Sequence, residues 1–113
     1  MTIKNAIIEK AEITCGDRSH GCLSISITVD YGDSGHQGFG GWSLGGRSNW
    51  TTEKNYGGRW LLRCMEIADV DEWSDMTGKT IRVAIENDLI VGIGHIVKEN
   101  WLYPKSEFGG QHE

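Results

Sequence analysis

The feature that most constrains the fold is a strict alternation of apolar and polar side chains within residues 22–31. A period of two is typical of a β-strand that turns one face to a core and the other to water. The rest of the chain must therefore cover the apolar side of a sheet. The apolar positions of this strand are Leu23, Ile25, Ile27, Val29 and Tyr31.

Two further strands are predicted beside this one. Residues 3–14 alternate loosely, and the turn-forming residues 16–21 that follow favour an antiparallel hairpin. A third strand is expected at Gln37–Leu44, inside the segment 32–58 that holds nine of the 16 glycines. In the first strand, one side is expected to carry Ile3, Ile7, Ala11 and Ile13, and the other Lys4, Lys10 and Glu12.

The period of the pattern becomes helical between Tyr56 and Val70. Apolar side chains recur there at intervals of three and four residues, which predicts an amphipathic helix. The stripe that we expect to face the sheet consists of Leu61, Cys64, Met65 and Ala68.

The last clear element is a hairpin within residues 79–97, in which Asn87 and Asp88 join two alternating strands. Both turn residues tolerate positive φ, so we expect a two-residue turn. Unbroken pairing from this turn places Gly92 and Gly94 on one face. Their missing side chains would open a groove in which the helix packs.

The opposite face of this hairpin is expected to hold Val91, Ile93 and His95, and it is too apolar to lie in water. One helix covers only one side of a sheet. We therefore expect either a neighbouring segment or a second copy of the chain on this face, and a homodimer is the predicted assembly.

Together these elements predict an α+β fold in a single domain, residues 1–113. The expected architecture is an antiparallel sheet of four to five strands with one main helix on one face, in the order β-β-β-α-β-β. A chain of 113 residues leaves no room for a second independent core.

The charge and the cysteines limit the classes of partner and the compartment. A net charge of −5 argues against bulk affinity for nucleic acid or for an anionic membrane surface. The three cysteines cannot all pair, and the first residues lack the apolar run of a signal peptide. We therefore expect reduced thiols and a cytoplasmic location.

Two groups of residues have the chemistry of a site. Asp30, Asp33 and His36 bring carboxylates and an imidazole to one loop, which would suit a small-molecule or nucleotide binder or a weak metal-assisted hydrolase. Such a site needs a further partner from elsewhere in the chain. Zinc ligation by Cys15, His20 and Cys22 lacks a fourth ligand, and buried free thiols are the commoner outcome. We predict no catalytic residues, no metal and no cofactor.

A binding surface is predicted in the glycine-rich segment, where aromatic residues and an arginine gather. Trp, Tyr and Arg dominate the energetics of protein interfaces. The predicted partner-binding residues are Tyr31, Phe39, Trp42, Arg47 and Trp50. The alternative is that Phe39 and Trp42 are core residues of the third strand.

The sequence also resembles a group of known proteins. The string from Asp30 to Gly41, the segments 78–83 and 93–97, and the Trp-Leu-Tyr-Pro tail at 101–104 resemble small accessory proteins of tailed bacteriophages and prophages. The resemblance implies a non-enzymatic protein that inhibits or modulates a host protein complex, including defence systems such as CRISPR effectors. It transfers no role to any residue.

Overall fold

The computed structural model describes residues 1–17, 22–33, 35–46 and 56–108. The predicted order β-β-β-α-β-β is confirmed there, and a two-residue strand and a four-residue helix follow it. The strands are β1 (Thr2–Asp17), β2 (Cys22–Gly32), β3 (Gly35–Gly46), β4 (Thr80–Glu86), β5 (Leu89–Gly94) and β6 (Trp101–Leu102). The helices are α1 (Tyr56–Ala68), a 3-10 turn (Trp73–Asp75) and α2 (Pro104–Glu107).

The strands form one curled antiparallel sheet in the order β3-β2-β1-β4-β5-β6, and α1 packs on its inner face. The described residues thus hold six strands, whereas the sequence predicts four to five. The additional strand is β6, and its two residues are too few to produce a periodic pattern. Within the described ranges, no helix is both long and apolar enough to cross a membrane.

The core lies between the inner face of the sheet and α1. The alternation in β2 is confirmed, because Ile25, Ile27 and Val29 are fully buried there. Burial of three such side chains stabilises the fold by roughly 1.5–3 kcal/mol each. β2 therefore supplies three fully buried side chains to the core.

The buried face of α1 is rotated from the predicted stripe. Of that stripe, Cys64 and Ala68 are buried as predicted, whereas Leu61 and Met65 are only partly buried. Trp60 and Ile67 are fully buried instead. The indole of Trp60 reaches β3, where its ring centroid lies 5.6 Å from that of Phe39. The largest side chain of the helix therefore sets which face turns inward.

The predicted facing of β1 is wrong in the first half of the strand because Glu9 is an extra residue. The pairing of β1 with β2 shifts between Ile8 and Lys10. A β-bulge of this kind exchanges the two faces of a strand. Ile3 and Ile7 consequently lie on the outer face, 47% and 51% exposed. The inward-facing residues of this strand include Ala6, Ile8 and Ala11.

The predicted register of the second hairpin is also wrong, because Val91 is an extra residue of β5 with no partner on β4. The first two pairs after the turn form as predicted, and the pairing then shifts by one residue. Val83 therefore lies opposite Ile93 instead of opposite Gly92. Both of these facing side chains are fully buried, and Gly92 and Gly94 lie on the outer face. The helix packs on apolar side chains and not in a glycine groove.

The two-residue turn of this hairpin is confirmed, with φ of 53° at Asn87 and 64° at Asp88. The curl of the sheet brings β3 next to this turn. The Gln37 side chain accepts a hydrogen bond from the backbone N–H of Ile90 (2.7 Å) and donates to the carbonyl of Asp88 (3.1 Å). Its amide nitrogen also donates to the hydroxyl of Tyr31 (3.1 Å). One polar side chain thus joins the two arms of the sheet.

Replacement of Gly94 by alanine tests the position of the glycines. A Cβ atom at Gly94 would lie 2.5 Å from the indole ring of Trp101, so we expect Gly94→Ala to destabilise the fold by about 1–3 kcal/mol through overpacking. Gly38→Ala is the control, because the nearest atom to its Cβ is 4.0 Å away. Urea unfolding measures both free energies.

A double-mutant cycle identifies the neighbour of Gly94. In a Trp101→Ala background the cost of Gly94→Ala should fall sharply, because the indole that the new methyl group meets is gone. An equal cost in both backgrounds would place the contact elsewhere and contradict the shifted register.

Candidate functional site

Two aromatic rings lie flat on the outer face of the sheet, over the glycines of β5. A Cβ atom at Gly92 would come within 2.5 Å of the Tyr103 ring, as one at Gly94 would with Trp101. The two rings stack on each other, with centroids 5.7 Å apart and planes inclined by 19°. Only glycine allows aromatic rings to approach a strand backbone so closely. The rings are therefore seated on a rigid surface.

Arg82 and Glu99 hold the ring of Trp101 in place. The Arg82 guanidinium lies 4.8 Å from the ring centroid, within cation–π range. Glu99 accepts a hydrogen bond from the Trp101 indole N–H (3.0 Å) and pairs with Arg82 (3.3 Å). The bond from Trp101, and then that from Arg82, lowers the pKa of Glu99 below its usual value. The Trp101 ring is thus held against the strand backbone on one side and by Glu99 at its N–H edge.

The connection from β5 to β6 is ordered by hydrogen bonds to its backbone. Arg82 donates to the carbonyls of His95 and Lys98, both at 2.7 Å. The imidazole Nδ1 of buried His95 accepts hydrogen bonds from the backbone N–H groups of Val97 and Lys98, at 3.1 and 3.0 Å. His95 is therefore a structural residue. The ordered connection places Trp101 over Gly94.

The aromatic pair continues into an exposed aliphatic surface on β1. Ile3 lies opposite Ala84, which in turn lies opposite Gly92, so the outer-facing row runs from β1 to the ring of Tyr103. We call the set of exposed and half-buried apolar residues on this face the outer-face patch. It consists of Ile3, Ile7, Trp101 and Tyr103.

Sequence reasoning predicts that something covers the face of Arg82 and Ala84, but it wrongly places Ile93 on that face, because the shifted pairing turns Ile93 into the core. The C-terminal segment, which carries Trp101 and Tyr103, covers the β4–β5 end of the outer face. Ala84 is fully buried there as a result. A signal was present: Gly92 and Gly94 are two residues apart, as are Trp101 and Tyr103. Aromatic residues on one strand often pack over glycines on its neighbour. Equal spacing of the two pairs could have placed the rings.

The predicted partner-binding residues divide into three groups. Tyr31 is half-buried and packs against the core, and Phe39, only 7% exposed, belongs to the core. Trp42 lies in β3, but its side chain is outside what the structure describes. Arg47 and Trp50 lie outside the described residues, so their part in binding stays a prediction.

The predicted site at Asp30, Asp33 and His36 has a different third member. Among the described residues, the ligand atoms of Glu9, Asp30 and His36 lie within 4.8 Å of one another. His36 Nδ1 is 2.9 Å from a carboxylate oxygen of Glu9. Asp33 sits in the adjoining turn with φ of 52° and does not join the cluster. Glu9 is the partner that the sequence could not supply, because the fold brings β1 beside the β2–β3 turn.

The cysteines give no zinc cluster within the described part of the chain. Cys15 is an exposed free thiol, whereas the side chains of His20 and Cys22 lie outside that part. Cys64 is fully buried, and desolvation raises the pKa of its thiol well above the usual value. A buried neutral thiol is a poor nucleophile and behaves as a core side chain.

Comparison with known proteins adds no relative to this description. Protein-family models, curated proteins and solved structures were each searched, and none matches the chain.

The contact between Glu9 and His36 predicts a pH dependence. The hydrogen bond that His36 donates to Glu9, the charge of Glu9 and the charge of Asp30 raise the pKa of His36 above 6.5. The contact should stabilise the fold below about pH 6.5, and this contribution should disappear as pH rises through the folded-state pKa. NMR titration of the His36 ring measures this pKa. Glu9→Gln should lower it, and Glu12→Gln, on the same strand, should leave it unchanged.

Proposed function

We propose that this protein is a non-enzymatic binding protein and that it attaches to another protein through the outer-face patch. The observation that carries the proposal is the aromatic pair of Trp101 and Tyr103, seated on glycine backbone, together with exposed Ile3 and Ile7 on the same face of the sheet. Trp, Tyr and exposed aliphatic side chains in one patch are typical of protein interfaces.

The side chains of the aromatic pair are already held in place, which lowers the entropic cost of binding. Immobilising a flexible side chain at an interface costs about 0.5–1.5 kcal/mol. Trp101 already has its indole N–H bonded to Glu99 and its ring beside Arg82. Little of this cost remains when a partner packs against the ring, so the contact energy is largely retained.

The shape and charge of the surface favour a protein as the partner. Small molecules bind in concave pockets, whereas the patch extends across the face of a sheet from β1 to β6. Nucleic acids and anionic membranes require basic surfaces, and the chain carries a net charge of −5. A folded protein with a complementary apolar surface meets these conditions.

The resemblance to accessory proteins of tailed bacteriophages directs the choice of partner. We propose a bacterial host complex in the cytoplasm, with defence complexes such as CRISPR effectors as the first to test. A second copy of the chain is the competing occupant, because a homodimer would bury the same apolar residues.

A charge introduced at Ile7 tests the outer-face patch. Ile7→Lys places a charge in the patch, and we expect its affinity for a host complex captured by the wild-type protein to fall at least tenfold, about 1.4 kcal/mol. Leu62→Lys is the matched control, because Leu62 is 57% exposed and lies on α1, on the other side of the sheet. Surface plasmon resonance with the purified complex measures both affinities.

Two further measurements separate the alternatives. Loss of binding in an Arg47→Ala/Trp50→Ala variant, with Ile7→Lys unaffected, would place the interface in the glycine-rich segment instead. Light scattering that shows a dimer, together with a monomeric Ile7→Lys variant that still binds the host complex, would assign the patch to self-association.

A further inference from the structure

The structure assigns a second site on the outer face, independent of the proposed protein partner. We propose that Glu9, Asp30 and His36 bind a divalent transition-metal ion such as Zn²⁺. One ligand atom from each residue lies within 4.8 Å of the others. The three residues come from three adjacent strands, β1, β2 and β3.

The backbone explains why these three side chains meet. Asp30 and His36 are direct cross-strand partners in the β2–β3 hairpin, so their side chains share a face. Glu9 is the bulged residue of β1, between the pair Ile8–Val29 and the pair Lys10–Thr28, and it lies two residues after Ile7, the partner of Asp30. Bulges redirect side chains and are frequent next to functional sites. The carboxylate of Glu9 thus lies on the same face as Asp30 and His36, 2.9 Å from the imidazole.

The local hydrogen bonds already orient two of the ligands. One carboxylate oxygen of Asp30 accepts a hydrogen bond from the backbone N–H of Gly32 at 2.9 Å, which leaves the other as a ligand. His36 Nδ1 and a Glu9 oxygen are 2.9 Å apart. Two ligands of a tetrahedral zinc ion with bonds near 2.0 Å lie about 3.3 Å apart. These two ligands are therefore close to the spacing that the ion requires.

The donor set matches the proposed class of ion. An imidazole nitrogen with two carboxylate oxygens suits zinc and neighbouring transition metals, whereas Mg²⁺ prefers oxygen ligands alone. The charges that act on His36 are those of Glu9 and Asp30, both negative. A divalent cation would replace the proton shared by Glu9 and His36 and would neutralise the two carboxylates. Half of the His36 side-chain surface is exposed, so the ion can enter and keep water ligands.

Calorimetry on the untagged full chain tests the site with Zn²⁺ and Mg²⁺ as separate probes. We expect saturable one-to-one binding of Zn²⁺, weaker binding of Mg²⁺, and tighter Zn²⁺ binding as pH rises and His36 loses its proton. His36→Ala and Glu9→Gln should each weaken Zn²⁺ binding at least about tenfold, since even the loss of a supporting residue has that effect. Asp33→Asn, next to the site but outside the cluster, should bind as the wild type does.

Thiols are the competing zinc ligands, because Cys15 is exposed. The near-ultraviolet and visible spectrum of the Co²⁺-loaded protein distinguishes them, because nitrogen and oxygen ligation gives no thiolate charge-transfer band in the near ultraviolet. Circular dichroism establishes that each variant is folded. Unchanged Zn²⁺ affinity in folded His36→Ala, loss of binding in Cys15→Ser, or no saturable binding at millimolar Zn²⁺ would overturn the proposal. Because Ile7 lies opposite Asp30, Ile7→Lys is assayed against the host complex with EDTA present, so that its effect cannot come from a metal at this site. Failure to bind Zn²⁺ then leaves the proposal for the outer-face patch unaffected.

Discussion

The contact on which the structure depends is that of two aromatic rings with the bare backbone of β5. Trp101 and Tyr103 lie against Gly94 and Gly92, and this seat exists because one extra residue, Val91, shifts the pairing of β4 with β5. The same shift turns Ile93 into the core, where it lies beside Leu102. One bulge therefore completes the inner face of the sheet and creates the covered end of its outer face.

A second bulge has the corresponding effect at the other side of the sheet. The extra residue Glu9 lets β1 present Ala6 and Ile8 inward before it and Ala11 inward after it. It leaves Ile3 and Ile7 on the outer face, where no described segment covers them as fully as the C-terminal segment covers Ala84. The exposed and the covered halves of the outer face thus have one physical origin, namely unpaired residues in strands that otherwise alternate.

Much of the fold could be predicted from local patterns. The alternation in β2, the helical period after Tyr56 and the turn at Asn87-Asp88 each reflect chemistry within a few residues, and the structure confirms them. The bulges could not be predicted, because an alternating sequence does not show which residue lacks a partner on the next strand. The predicted facing was therefore wrong in β1 before the bulge, at Ile3 and Ile7, and the predicted register was wrong in β5 beyond Ile90. The candidate sites depend on that register, so Glu9, Trp101 and Tyr103 were missed for the same reason.

The most direct test of the account is hydroxyl-radical footprinting of the protein, free and bound to the captured host complex. Mass spectrometry of the oxidised peptides reports the exposure of individual side chains. We expect oxidation of Trp101, Tyr103 and Ile7 to fall on binding while that of Leu62 is unchanged. Protection of Trp50 with undiminished oxidation of Trp101 and Tyr103 would contradict this expectation and place the interface in the glycine-rich segment.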